Sequence, residues 1–377
     1  MALHPAGGLG DNAAGKIRYA TMGRVIRPDL DQLPSYVPGR SIPGAVKLAS
    51  NEVAAAPLPS VIAAIAEAAA GANRYPDNSV TALRARLAAQ LDVPTSQVAT
   101  GPGSVALCEH LVRTTCGPAN EVVFAWRSFE AYPIITHVTG AHRRLVPLRG
   151  DHTHDLPAML AAITSQTRLV FVCNPNNPTG TAVPRAELVA FLDAVPDGVL
   201  IVLDEAYHEF VTDPAVADGV ALSRGRDNLA VLRTFSKAYR LAGLRVGYCV
   251  GPEPVITALH KVAVPFGVTT LAQAAALASL DAADELLAHC KDVAAERDRV
   301  RGELLAMGYA VPDSQSNFVW LPLGDRSAAF NEHCLARKIV IRPFAGDGIR
   351  VTIGDPAENE AFLAAARDWL KTAQPPM

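Results

Sequence analysis

The sequence predicts an α/β protein in which helices cover both faces of a largely parallel sheet, and three observations carry that expectation. Between Val98 and Gly251, short β-branched runs alternate with Ala/Leu-rich helical stretches, as in successive βαβ units. Several runs are continuously apolar, such as Leu169-Val170-Phe171-Val172 and Val199-Leu200-Ile201-Val202-Leu203, which suits strands buried on both sides. Polar clusters follow these runs directly, at the carboxyl ends of strands, where open α/β sheets bind ligands.

Taken in order, residues 1–22 are rich in Gly and Ala, lack the basic and apolar regions of a secretory signal, and are expected to form a flexible extension. Residues 51–261 are expected to form the large domain, with strands at Glu121–Trp126, Arg168–Asn174, Val199–Asp204, Asn228–Phe235 and Arg245–Val250. Beyond it the pattern turns to long helical stretches, Glu285–Met307 and Ala328–Lys338. Short strands are expected there at Phe318–Leu321, Val340–Arg342 and Ile349–Ile353. Residues 262–377, completed by 23–50, therefore read as a smaller α+β domain. Val262 to Leu280 carries no charge and approaches the length of a membrane span. Pro265, Gly267, Thr269, Thr270 and Gln273 instead predict a loop, then a helix buried in a core or a subunit interface.

Composition narrows the function. The chain has 377 residues, 50% hydrophobic and 19% charged, enough to bury a large core, and a net charge of -3. Nucleic acid and anionic membrane surfaces recruit clustered Lys and Arg, so neither partner is expected and small-molecule chemistry is favoured. Six scattered cysteines, with no C-x-x-C pair and no His at ligand spacing, predict reduced thiols, a cytoplasmic protein and no metal centre.

Three polar clusters stand out: Asn174-Pro175-Asn176-Asn177-Pro178-Thr179-Gly180, Asp204-Glu205-Ala206-Tyr207, and Thr234-Phe235-Ser236-Lys237 running on through Ala238-Tyr239-Arg240-Leu241-Ala242-Gly243-Leu244-Arg245. Each alone is an ordinary turn or strand end. In this order they resemble the class I and II aminotransferases of pyridoxal-phosphate fold type I. The resemblance runs from about Met22 onward and takes in Ala49-Ser50-Asn51-Glu52, Arg74-Tyr75-Pro76-Asp77 and Gly101-Pro102-Gly103-Ser104. It implies an aspartate-aminotransferase-like fold, a large domain with a mostly parallel seven-stranded sheet between helices plus a smaller α+β domain. The implied cofactor is pyridoxal 5'-phosphate.

The resemblance also assigns roles. Lys237 matches the lysine that binds the cofactor aldehyde, a job that needs a neutral amine and so a desolvated site near other cations. Asp204 matches the carboxylate that keeps the ring nitrogen protonated, although an Asp after a strand is also a common helix cap. Tyr207 and Asn177 match donors to the ring hydroxyl, and Phe129 matches the stacking aromatic, which could equally be a core side chain. Gly103, Ser104, Ser236 and Arg245 match the phosphate cradle. Arg245 is read as starting an apolar strand, where an unpaired charge would be costly. Tyr75 resembles the tyrosine lent to the neighbouring subunit's phosphate in a homodimer, whereas read alone it sits in a surface turn. For substrate, Arg350 matches the α-carboxylate clamp. Arg342 could face substrate or solvent, and Asn51 and Tyr36 are expected near the substrate entrance.

Within the family the closest likeness is to the histidinol-phosphate aminotransferase subgroup and its actinobacterial aromatic-amino-acid branch. Trp126-Arg127-Ser128-Phe129-Glu130 replaces the usual Pro-rich run before the stacking aromatic, and Ser50-Asn51-Glu52-Val53 departs from the usual S-N-E-N. The implied reaction is ping-pong transfer of the amino group between aromatic amino acids (Phe, Tyr, Trp) and 2-oxoglutarate. Histidinol phosphate as substrate, and decarboxylation of a phospho-amino acid on the same scaffold, are the alternatives. A DNA-binding regulator is disfavoured because the N-terminal stretch is too short and Gly-rich for a DNA-binding domain.

Overall fold

The computed structural model describes residues 26–33 and 42–372. Residues 26–33 contain a short 3-10 helix, Pro28–Gln32, with Pro28 at its first position, where a missing N–H costs nothing.

Residues 42–372 belong to a second compact unit. It opens with the two-residue strand β1 (Val46–Lys47) and then builds a seven-stranded sheet from β2 (Val98–Gly101), β3 (Glu121–Trp126), β4 (His142–Pro147), β5 (Thr167–Cys173), β6 (Leu200–Asp204), β7 (Leu229–Thr234) and β8 (Gly247–Val250). The order is β2-β8-β7-β6-β5-β3-β4, and β8 runs antiparallel to both of its neighbours. Alternate residues of β3, β5, β6 and β7 enter two separate apolar clusters. Val123, Val170, Ile201 and Val231 face one, while Val122, Leu169, Val202 and Leu232 face the other. Both faces are thus covered, which is why these strands read as continuous apolar runs.

The expected strands are present, with informative shifts. The run expected from Arg245 starts at Gly247, because a 3-10 turn at Ala242–Leu244 leaves Arg245 in the left-handed region (φ 57°). The strand expected at Val340–Arg342 divides in two. β10 (Ile339–Val340) pairs parallel with β1, and β11 (Arg342–Phe344) pairs with β12 (Gly348–Thr352). β12 pairs in turn with β9 (Phe318–Leu321), giving a three-stranded antiparallel sheet. The charge-free stretch forms a loop and then the helix Thr270–Asp281, capped by the Thr269 hydroxyl and buried along Ala272, Ala275, Ala276 and Leu280. No helix among the described residues is long and apolar enough to cross a membrane.

Together the two sheets give an α/β fold with a smaller second part. We propose boundaries at 51 and 262 for the two domains. Their apolar side chains merge in one cluster that spans Val123 and Leu203 on the large sheet, Phe318 on the small one, and Phe330 and Phe362 on helices of the smaller part.

A buried cation fastens the long helix Ala283–Ala306 to this assembly. Arg297 is fully buried, and it donates through Nη1 to the carbonyls of Phe210 (3.1 Å) and Ser316 (3.2 Å) and through Nη2 to Thr212 Oγ1 (3.2 Å). Asp298 accepts from Nε at 2.8 Å. Arg297→Ala removes donors from buried carbonyls, so it is expected to destabilise the fold by about 3–5 kcal/mol. Chemical denaturation of wild type and variant measures it, and a midpoint unchanged by the substitution would contradict this role.

Candidate active site

The carboxyl ends of β2, β3, β5, β6 and β7, together with the reversed start of β8, lie along one edge of the large sheet. Asp204 is the last residue of β6 and is 3% exposed. It is not a helix cap: its Oδ2 accepts from the Tyr132 hydroxyl at 2.7 Å, and its Oδ1 is buried with no partner among the described residues. Burial pushes this carboxyl up to about 6, against the lowering pull of the Tyr132 hydroxyl and the Ala206 amide. A buried acceptor in this state calls for a donor from outside the chain, and the protonated nitrogen of a pyridine ring supplies one.

Lys237 follows β7 by three residues and is half-buried, with Nζ donating to the Ser50 carbonyl at 3.2 Å. Desolvation, helped by the guanidiniums of Arg350 and Arg245 and opposed by Glu52, lowers its pKa to about 7. A large fraction of the amine is therefore neutral near neutral pH, as a nucleophile requires.

Asn51 pairs with Tyr207, and Arg350 pairs with Asn177. The buried Tyr207 hydroxyl accepts from Asn51 Nδ2 at 2.9 Å, and burial raises its pKa so that the phenol keeps its proton. Asn51 sits in the left-handed region (φ 53°) and is locked to β12, where Thr352 Oγ1 accepts from its amide (2.9 Å) and donates to its Oδ1 (3.1 Å). Arg350, 7% exposed, donates to Asn177 Oδ1 at 2.6 Å and to the Ala49 carbonyl at 2.7 Å. These contacts hold its guanidinium beside Lys237 and Tyr207, where it acts on the titration of both.

The anion end is built differently from the expectation for Arg245. That residue is exposed and precedes β8, so burial in a strand does not explain it. It is oriented instead by its own turn, donating from Nη1 to the Ala242 carbonyl (2.9 Å) and to Ser236 Oγ (3.3 Å). Gly103, at φ 86°, precedes the twelve-residue helix Ser104–Thr115, whose first amides have no side-chain cap. A Cβ on Gly103 would stand 3.1 Å from Arg245 Cζ, and one on Gly247 would stand 2.7 Å from the Ser104 amide nitrogen. The two glycines let a guanidinium and a helix N-terminus converge, a geometry suited to phosphate.

Phe129 is half-buried and meets Tyr132 edge-on at 5.5 Å. Arg342 lies opposite Arg350 in the β11–β12 register, so the two side chains leave the same face, and its Nη2 donates to Glu130 Oε2 at 2.8 Å. Tyr75 stands apart from this group, 81% exposed and stacked on Phe266 at 4.5 Å. Tyr36 lies outside the described residues. Sequence reasoning gave no role to Tyr132, Thr352, Glu130 or the carbonyls of Ala49 and Ser50. Tyr132 carries no local signal beyond its place at a helix start, and backbone carbonyls carry none. No group of three or more His, Cys, Asp or Glu among the described residues could hold a metal ion.

The family model for aminotransferase class I and II matches residues 43–365. An aromatic amino acid aminotransferase of Rhodococcus jostii is 60% identical over 340 residues, covering 90% of this chain and 94% of the relative. One from Nocardia farcinica is 60% identical over 350 residues, covering 92% and 98%. The crystal structure of histidinol-phosphate aminotransferase from Sinorhizobium meliloti in complex with pyridoxal-5'-phosphate superposes with a TM-score of 0.84 at 30% identity, over 93% of this chain and 98% of that one. Aspartate aminotransferase from Thermus thermophilus, a tetra mutant, shares the fold with a TM-score of 0.79 at 20% identity, over 92% and 99%. With its match across most of the chain, this protein belongs to the class I and II aminotransferase family.

Proposed function

We propose that the protein is a pyridoxal-phosphate-dependent aminotransferase that moves amino groups between aromatic amino acids and 2-oxoglutarate. The observation that carries the cofactor is the buried Asp204 Oδ1 without a partner among the described residues, in a site that also holds a lysine whose pKa is about 7. The aromatic substrate class is supported by relatives of that name at 57–60% identity.

Bound there, pyridoxal phosphate supplies an electron sink for the pair left when the substrate Cα–H bond breaks. Lys237 would hold its aldehyde carbon, and its neutral amine would serve as the general base that carries the substrate Cα proton. Asp204 holds the ring nitrogen protonated, and Tyr132 holds Asp204. Tyr207 and Asn177 would donate to the ring hydroxyl, and Phe129 would be its aromatic partner. Gly103, Ser104, Ser236 and Arg245 bind the phosphate. Arg350 clamps the substrate α-carboxylate with the planar fork that suits it, with Asn51 alongside and Arg342 further along the substrate.

The exposed Tyr75–Phe266 ring pair supports a homodimer in which Tyr75 reaches the neighbouring phosphate. A cytoplasmic location is part of the same reading, supported by six cysteines without a disulfide. Histidinol phosphate is the second reading, favoured by the fold likeness to the Sinorhizobium meliloti enzyme.

Purified protein mixed with phenylalanine and 2-oxoglutarate is expected to yield phenylpyruvate, and Lys237→Ala to lose both turnover and the visible absorbance of the lysine-bound cofactor. No phenylpyruvate at high enzyme concentration would refute the aromatic assignment. Capture of added pyridoxal phosphate by cofactor-free protein should accelerate as pH rises through about 7, because the proton blocking the Lys237 amine is lost there. Stopped-flow absorbance reads that rate, and a rate flat from pH 6 to 8 would remove the neutral-amine argument.

Asp204→Asn is expected to cut turnover by about 10- to 100-fold, the worth of a hydrogen bond to a charged group. Tyr132→Phe removes the contact that lowers the Asp204 pKa, so the acid limb of the pH–rate profile should move to higher pH. An unshifted limb would show that Tyr132 only packs.

A further inference from the structure

We infer that Arg233 is a positioning residue for the Asp204 carboxylate: by holding and neutralising Glu205, the next residue in the chain, it keeps Asp204 in the anionic form that a protonated pyridine ring requires. This role rests on the cofactor reading above, and Arg233 exerts it from the opposite face of the sheet.

Side chains alternate across a strand, so the neighbours Asp204 and Glu205 leave the end of β6 on opposite sides. Asp204 follows Val202 towards Tyr132, and Glu205 follows Leu203 towards the face that carries Val231 of β7. Both carboxylates are removed from water, at 3% and 2% exposure. Burial raises the Asp204 pKa, and the charge of Glu205 adds to that rise. Left uncompensated, a second buried anion one residue away would favour protonation of Asp204, and a protonated carboxyl gives up its hold on a cationic ring.

The compensating charge comes from β7. Arg233, itself 5% exposed, donates from Nε and Nη2 to Glu205 Oε2 at 2.9 and 2.8 Å, and from Nη2 to Asp218 Oδ1 at 2.8 Å. Glu205 Oε1 accepts from the Gly219 amide at 2.7 Å, and a Cβ on Gly219 would stand 2.9 Å from Glu205 Cδ. The backbone closes the arrangement, with the Glu205 amide donating to the Leu232 carbonyl at 2.9 Å and the Asn174 amide to the Asp204 carbonyl at 3.0 Å. Glu205 is thus fixed through both oxygens and its main chain, with the guanidinium against it.

The other groups facing this pair add little fixed charge. His208 stands 3.9 Å from Glu205 Oε2 and 3.6 Å from Asp218 Oδ2. Glu209 and Tyr248 act on the titration of Arg233, and burial favours the neutral form of both. On the Asp204 side, burial likewise favours neutral Tyr132, Cys108 and Cys173. Arg233 is therefore the standing positive charge set against Glu205.

Carboxyl 13C NMR of cofactor-free protein labelled at aspartate reads the Asp204 titration, its signal assigned by loss in Asp204→Asn. Arg233→Gln is expected to raise the midpoint by about one pH unit or more, a roughly tenfold change in the ionisation equilibrium. Glu205→Gln should lower it, and the double variant should reverse the rise. A strap that only holds the strands together predicts the same direction in both single variants and no recovery in the double. Either result overturns the inference, as does an unmoved midpoint in Arg233→Gln because Glu205 takes up the proton instead. Where Arg233→Gln does not fold, Glu205→Gln decides, and a midpoint that fails to fall is the contrary outcome. In the loaded enzyme the acid limb of the pH–rate profile should move up in Arg233→Gln and return in the double variant; equal displacement in both is likewise contrary. A wild type without affinity for pyridoxal phosphate would refute the cofactor reading alone, since the titration in cofactor-free protein still decides what Arg233 does.

Discussion

Taking a carboxylate out of water at the end of a doubly covered strand carries a heavy electrostatic penalty, and the candidate site is organised around meeting it. Apolar layers on both faces of the sheet desolvate Asp204 and push its pKa up. Tyr132, itself fully buried and stacked flat on Phe171 of β5 at 4.3 Å, satisfies one oxygen. In the proposed function, the other oxygen would accept from the ring nitrogen of the cofactor. The same sheet edge brings together an amine after β7, Asn177 and Tyr207 after β5 and β6, and a helix N-terminus beyond β2.

The layers that impose this burial are also what made the large domain readable. β3 is where the apolar run places it, residue for residue, because both its faces are covered and its boundaries are polar. β4 went unrecognised for the opposite reason. As an edge strand, His142–Pro147 is exposed at all but one position, so it carries no apolar signature. The error at Arg245 came from reading the apolar residues after it as a continuous strand, whereas the local turn gives it a left-handed backbone. The division of Val340–Arg342 has a tertiary cause, since two different partners, β1 and β12, claim its halves.

Legibility of the candidate site follows the same logic. Side chains within ordered motifs, such as Lys237, Asp204, Tyr207 and Asn177, could be singled out because residue type and position after a strand point to chemistry. What they lean on could not. Asn51 is held by Thr352, and Arg350 by the carbonyl of Ala49, partners 301 residues away in each case. Glu130 meets Arg342 across 212 residues, and nothing near either in the sequence announces the pair. Such contacts exist only once the two sheets have packed.

The reversed direction of β8 has one more outcome. A parallel strand would have needed a long crossover and would have offered its far end to the ligand edge. Running backwards, β8 lets the chain leave β7, make a short excursion and return at the same edge, so Lys237 and Arg245 sit on one continuous stretch of backbone. The spacing between Lys237 and Arg245 is consequently an intrinsic property of that stretch, like the span of a caliper.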